Sequence, residues 1–477
     1  MKRLLTDFRY MVCLQGLILF GVLWGVWYVN YYYHLWWLEG YSYFTTLPDF
    51  AVIQALFPDD ALKYVGAFLL QLFYEPIWGA AIQAGFAVWI FLCGAMVVGC
   101  LFKSAVKMLW LAALPLPFFV VGQFWDLSLE RSIGWCLVAL GMAVAVWIVA
   151  RLKKIDWRPL KVLCHPIVRM VVPILSLCLS VYFLIGFDKG YQNQEMFGRL
   201  EYYGEHKRWN EILKVVTPQA AQRNQLLRTY ALLALAETGR LPDYMLRYGI
   251  TNSTEFLFFN REVPFCRNFN SLFYRSVGLP NEVIHQCYQM GLQSFFGFSF
   301  TELRRLVDTY LEIGDYPLAQ KYMEVLSYST FQDEWIKERM PRLEAIKGTS
   351  PNYRMVGKAF TVDTFLETMS SVYDRSPDNR VYADLLLCGI LADKNGNQFY
   401  QVFQIIAKHL FAKGERIPRY YEEALLLVSS HEKEVLTQYT ISKESRERFQ
   451  DFMQMAKSNR LSAAKRKYPD SYWTYVF

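Results

Sequence analysis

Apolar positions run almost unbroken through five stretches of the first 187 residues, and beyond them the period shifts to that of amphipathic helices. The five are Tyr10–Val29, Ile77–Phe102, Met108–Trp125, Ile133–Ala150 and Met170–Phe187. Each is close to the ~20 residues needed to cross a hydrocarbon core of ~30 Å. Backbone groups in lipid must be satisfied within the segment, so the pattern predicts helices. Pro115 and Pro117 lie inside the third and predict a kink whose freed carbonyls a neighbouring helix must cover. A shorter run, Ala61–Tyr74, holds Lys63 and Gln71 and ends at Glu75–Pro76, which suits a re-entrant or interfacial helix.

Beyond residue 187 the apolar positions recur at helical spacing, often in pairs of short helices. The clearest pair is "TELRRLVDTYLEIGDYPLAQKYMEVL", Thr301–Leu326, with Gly314–Asp315 as the turn and Ala319, Tyr322 and Leu326 on one face. It resembles a tetratricopeptide repeat in its Gly-Asp-Tyr turn and the small residue that follows. Glu201–Val216 and Leu226–Tyr248 are weaker echoes, the latter with a turn at Gly239 and a second helix from about Pro242. Val381–Leu410 and Tyr420–Ser430 read as helices without a repeat signature. Ile250–Asn270 and Ile346–Thr364 read as long insertions, either loops packed on the helices, which is favoured, or part of a binding face. The aromatic end, with Tyr472, Trp473, Tyr475 and Phe477, is expected to dock on the last helices or on a membrane surface. The fold expected is all-α: an N-terminal bundle of about five transmembrane helices (1–187), then an irregular tetratricopeptide-like α-solenoid (188–477).

Charge sets the expected sidedness. With five spans and the N-terminus inside, Lys2, Arg3, Arg9, Lys103, Lys107 and the basic run Arg151–Lys161 fall on the cytoplasmic side, leaving Lys63 and Arg131 outside. Counting Ala61–Tyr74 as a sixth span would reverse the basic run, so five spans are favoured. An odd number places residues 188–477 on the extracytoplasmic face of a bacterial inner membrane. The net charge of +7 is spread over both halves with no basic block interleaved with aromatics, so nucleic acid is not an expected partner. The lipid bilayer is the first partner, and a protein held by the solenoid is the second.

The stretch "NYYYHLWWLEGYSYFTTLPDF", Asn30–Phe50, concentrates aromatic rings just after the first span. Tyr31–Tyr33, Trp36, Trp37 and Tyr41 are expected to form a belt at the headgroup level. The set of five spans, the "LEGYSYF" loop, the "YVGAFLLQLFYEPIWGA" segment and the tetratricopeptide-like end resembles an uncharacterised family of Bacteroidota polytopic inner-membrane proteins. That resemblance implies the architecture and no activity.

Candidate chemistry is sparse. Nine cysteines form no CxxC, six histidines stand singly, and no glycine-rich phosphate loop occurs, so neither a metal nor a cofactor is expected. A Cys266–Cys287 pair is left open. Membrane glycosyltransferases that use polyprenyl-phosphate lipids place an acid in their first outer loop. Glu39 and Glu75, with Asp49, Asp59 and Asp60 nearby in sequence, are the catalytic candidates under that reading. The plainer expectation is that Glu39 pairs with Lys63 or a backbone donor, or sits in water. The few polar residues inside the spans, Gln83 and Gln123, argue against an ion pathway. The favoured function is a membrane-anchored scaffold, and Trp209, Tyr230 and Tyr310 are its expected contact residues.

Overall fold

A computed structural model describes residues 7–49, 58–153, 157, 164–187, 193–258, 263–294, 298–352, 365–410, 416–429 and 439–477. Among these residues the chain is helical throughout, with one isolated β-bridge, Phe102 to Trp157. Five helical segments are long and apolar enough to cross a membrane: Phe8–Asn30, Pro76–Leu101, Ala105–Phe124, Glu130–Lys153 and Pro166–Gly186. The chain folds into two compact units, Met1–Arg199 with Gly291–Ser350, and Leu200–Met290 with Pro351–Phe477. The chain's change of composition at 187 is therefore not where the packing divides. Residues 291–350 are globular in composition, yet they pack in the unit that holds the apolar helices.

In the first unit, helices α1 (Phe8–Asn30), α2 (Tyr32–Gly40), α3 (Pro58–Leu70) and α4 (Pro76–Leu101) are followed by a broken segment. A short helix at Ala105–Met108 passes through a 3₁₀ stretch, Leu109–Ala113, into α5 (Leu116–Phe124). The prolines account for the break. Pro117 has no N–H to offer the carbonyl of Ala113, four residues back, and the Ser176 hydroxyl donates to that carbonyl instead. Ser176 lies on α7 (Pro166–Phe187), which follows α6 (Glu130–Lys153). α3, of 13 residues, ends in a 3₁₀ turn, Gln71–Tyr74, so the short apolar run falls below the ~20 residues that a crossing needs.

Large apolar side chains stand exposed along the long helices, among them Leu17, Phe118, Trp135, Met142 and Met170. On a soluble surface they would be a liability, whereas against lipid they are in their own solvent.

After α8 (Gln194–Glu205) the first unit resumes with α9 (Phe300–Ile313), α10 (Tyr316–Ser327) and α11 (Asp333–Ala345). The α9–α10 turn has the expected chemistry. Gly314 closes α9 in the left-handed region at φ +81°, and the Asp315 carboxylate accepts from the Leu318 N–H to open α10. Ser299 and Glu302 form a capping box at the start of α9. Ala319 is fully buried, and the Tyr310 and Tyr322 rings stack with centroids 5.7 Å apart.

The second unit is a set of helices around a core that includes Phe256 stacked on Phe365 and Tyr230 edge-on to Phe269. Two expectations need correction here. Pro264 begins a helix, Pro264–Ser276, where a loop was expected, because proline is well suited to the first helical position. The helix expected from Pro242 is only Leu241–Tyr244 followed by a 3₁₀ turn. Residues 353–364 of the second expected loop lie outside the described residues. The aromatic end docks within this unit. The Tyr475 hydroxyl donates to the carbonyls of Thr251 and Ala392 at 2.7 and 2.6 Å, and Tyr472 and Trp473 are buried.

Candidate functional site

α2 is a nine-residue helix whose sequence offers no capping side chain of its own. Its free N–H groups are satisfied from a distance. The Glu195 carboxylate, in the first turn of α8, accepts from the backbone N–H of Tyr33 at 3.0 Å and of His34 at 2.9 Å. A carboxylate at a helix N-terminus meets both the unpaired donors and the positive end of the dipole. Arg199 pairs with Glu195 at 3.3 Å, and a Cβ on Gly198 would stand only 2.7 Å from the Tyr33 carbonyl oxygen. Glycine is what allows that approach.

The aromatic run divides by face. Tyr31, His34, Trp37, Tyr43 and Phe44 are buried inside the protein, while Tyr32, Tyr33, Trp36 and Tyr41 are half-buried. Tyr31 donates its hydroxyl to the Leu184 carbonyl of α7 at 2.9 Å and sets its ring edge against Phe124. His34 lies between the rings of Trp37 and Phe124. Two of the six expected belt residues, Tyr31 and Trp37, are therefore internal packing, because one helix face turns toward α5 and α7.

Glu39 has no exposed surface. Arg304 of α9 grips it through both terminal nitrogens, Nη1 to Oε2 at 3.1 Å and Nη2 to Oε1 at 2.5 Å. Gln332, also fully buried, donates Nε2 to Oε1 of Glu39 at 3.3 Å. Its own Oε1 accepts from Nε and Nη2 of Arg304. The guanidinium lies 5.4 Å over the Tyr74 ring and 5.6 Å over that of Phe300. This is the bidentate, charge-assisted arrangement that justifies a buried ion pair, since each polar atom of the triad finds a partner.

Further bonds join the same segments. The Phe300 N–H donates to the Ser42 carbonyl at 2.9 Å, and the Ser329 hydroxyl to that of Phe44 at 2.6 Å. The Thr46 N–H donates to the Tyr328 carbonyl, and the Thr330 N–H to Oε1 of Gln71. Gly40 leaves room for the Thr301 side chain, which a Cβ would meet at 2.5 Å. Residues 39–46 and 71–74 are thus stitched to both ends of the α9–α10 hairpin.

The acids named as catalytic candidates are dispersed. Lys63 pairs with Glu130 at 3.8 Å, and the Glu39 partner is Arg304, which the sequence reading did not select. Glu75 and Asp49 are exposed, and the side chains of Asp59 and Asp60 lie outside the described residues. Among the described residues no group of three or more His, Cys, Asp or Glu side chains is placed to hold a metal ion. Of the expected contact residues, Tyr310 is buried in the first unit and Tyr230 in the second, and Trp209 is half-buried in the second. Tyr310 therefore shares no unit with the other two.

Two buried groups beside α2 respond to pH in opposite senses. Burial lowers His34 from 6.5 to about 3, so between those values the unfolded chain holds the extra proton and acid destabilises the fold. Burial raises Glu195 from 4.5 to about 7 against the pull of its N–H donors and Arg199, so the folded state holds the extra proton there. The Glu195 contribution is greatest below pH 4.5 and is lost as pH rises through 7. The two slopes oppose each other between about pH 4.5 and 6.5. Relative to His34→Phe, which keeps a ring in place, the wild type is expected to lose ~1.4 kcal/mol per pH unit on acidification below 6.5. Thermal unfolding of both proteins in detergent across pH 3.5–7.5 checks this; parallel curves would show that His34 is not held neutral.

One family model matches the chain twice, over residues 8–187 and 170–477, and its description is a family of unknown function. No curated protein and no solved structure matches the chain.

Proposed function

The chain belongs to DUF6057, a family of unknown function, and since membership transfers no activity, we propose from the site itself that the protein is a membrane-anchored helical scaffold or accessory subunit. On this reading it lies in a bacterial inner membrane with its N-terminus in the cytoplasm. Its tetratricopeptide-like helical-repeat region holds a protein partner on the extracytoplasmic side. The charge asymmetry of the segments between the apolar helices supports the orientation. The repeat-like α9–α10 hairpin supports the binding role by analogy of fold alone.

The observation that carries the reading is the commitment of Glu39 to Arg304 and Gln332. An acid that acts as a base or metal ligand must reach substrate, and this one has no exposed surface and both oxygens occupied. The carboxylate instead fixes an extramembrane hairpin to the helix that leaves the first span, which is what a rigid tether requires. A glycosyltransferase using polyprenyl-phosphate lipid gains nothing from this geometry. Trp209, the half-buried member of the expected contact set, remains the proposed contact residue, with Tyr230 and Tyr310 in packing roles.

Gentle purification from the native membrane, followed by native mass spectrometry, tests the proposal. A stoichiometric protein partner, weakened by Trp209→Ala, is the expected result. A chain that is always alone, or that carries turnover with a sugar-phosphate lipid donor, overturns it. An alkaline phosphatase fused at the C-terminus is expected to be active, and an intact but inactive fusion reverses the orientation.

A further inference from the structure

Two grooves meet at Arg131, the first basic residue of α6. The larger, about 600 Å³, runs between α4, α5 and α6, with walls that include Ile90, Val97, Phe119, Ala139 and Met142. The smaller, about 410 Å³, lies between α3 and α6 and includes Leu62, Lys63, Gly134 and Val138. Both are lined by Arg131 and by Trp135, so the indole stands as a partition between them and the guanidinium sits at their shared mouth.

Polarity is concentrated at that mouth. The Arg131 side chain is exposed and has no carboxylate partner among the described residues. The nearby acids are otherwise engaged, Glu130 with Lys63 and Asp126 with the Ser132 N–H at 2.6 Å. Gln123 lines the larger groove too. Its Nε2 donates to Gln83, while its buried Oε1 lacks a donor. An unmet acceptor in an apolar wall is costly, so it marks a place where a ligand donor is favourable. Along α6 the larger groove extends from Arg131 to Met142, about 16 Å at 1.5 Å per residue. One leaflet of hydrocarbon is ~15 Å deep.

We propose that Arg131 and the paired grooves form a binding site for one diacyl glycerophospholipid with an anionic phosphate headgroup. One acyl chain lies on each side of Trp135, the phosphate rests on Arg131, and headgroup hydroxyls of a phosphatidylglycerol reach toward Gln123. The larger groove has one leaflet's depth and the smaller, from Arg131 to Val138, runs about 10 Å; together they give room for two chains, whereas a polyprenyl phosphate has one. Single cations at the membrane surface attract anionic lipids only loosely, so the grooves supply the selectivity of shape and Arg131 that of charge. The site is independent of the scaffold role and of which leaflet faces the cytoplasm.

Titration of the delipidated full-length protein with phosphatidylglycerol, read by native mass spectrometry, tests it. One saturable adduct is expected, in preference to phosphatidylcholine. Arg131→Gln is expected to weaken it about tenfold, the size of one charge-assisted contact. Gly122→Leu is the second variant. Gly122 lines the larger groove and a Cβ there meets nothing within 4 Å, so a leucine should displace one chain. Unchanged melting of both variants without lipid separates lost binding from lost folding. Equal uptake of phosphatidylcholine, full retention of phosphatidylglycerol by Arg131→Gln, or preferential binding of a polyprenyl phosphate would each overturn the proposal.

Discussion

Glu39→Ala is expected to destabilise the first unit by about 3–5 kcal/mol, the usual cost of leaving one partner of a buried ion pair uncompensated. The loss is large because Glu39 has no exposed surface and the Arg304 side chain is only 13% exposed. It lies between the Tyr74 and Phe300 rings, and its remaining partner, Gln332, carries no charge. Removing the carboxylate leaves a largely buried cation with one neutral acceptor. Thermal unfolding in detergent measures the shift, and hydrogen exchange locates it. Exchange should rise in residues 300–332 together with 39–46, the segments the triad joins. A variant that melts with the wild type but loses an enzymatic turnover would return Glu39 to chemistry.

The second large effect is expected at the other end of the chain. Trp473 is fully buried, packs against Phe449 and Phe452, and donates Nε1 to the Glu423 carbonyl at 2.8 Å. Glu423 is itself buried, accepts from the Tyr472 N–H at 2.6 Å and pairs with Arg419 at 2.9 Å. Trp473→Ala removes a large core side chain and leaves a carbonyl without its donor. A cost of about 3–5 kcal/mol is expected for the cavity alone. Limited proteolysis should then release the tail and open residues 419–429, while the first unit keeps its exchange protection. Resistance equal to the wild type's would mean that the tail only rests on the second unit.

The five apolar helices were legible because hydrocarbon requires long runs of one kind of residue, and few other environments do. The α9–α10 hairpin was legible for a local reason as well, since Gly314 and Asp315 carry the turn within two positions. The Pro115–Pro117 break could be read from the same stretch, but not Ser176, which lies on another helix and covers Ala113 only once the bundle has formed. The aromatic run after the first span was ambiguous. Tyrosine and tryptophan serve a headgroup zone and a packed core equally well, and only the orientation of α2 decides.

Arg304 was the most consequential residue missed. It is 265 positions from Glu39, and no local pattern links such a pair. A signal existed all the same. Arg304 falls one turn from Phe300 and from Val307, on the flank of the buried stripe of α9, where a permanent charge needs a buried partner. Of the acids in the first part of the chain, Glu39 sits in the most apolar surroundings. Matching the two was possible in principle, but the assumption that residues beyond 187 fold apart from the spans hid it.

A double-mutant cycle on Glu39 and Arg304, read by thermal unfolding of the full-length protein in detergent, tests the central claim most directly. If the carboxylate is a structural lock, Glu39→Ala and Arg304→Ala should each cost about 3–5 kcal/mol. The double variant should then cost well under their sum, with a coupling of about 2 kcal/mol or more. Additive losses would contradict the lock and leave Glu39 without the role assigned to it.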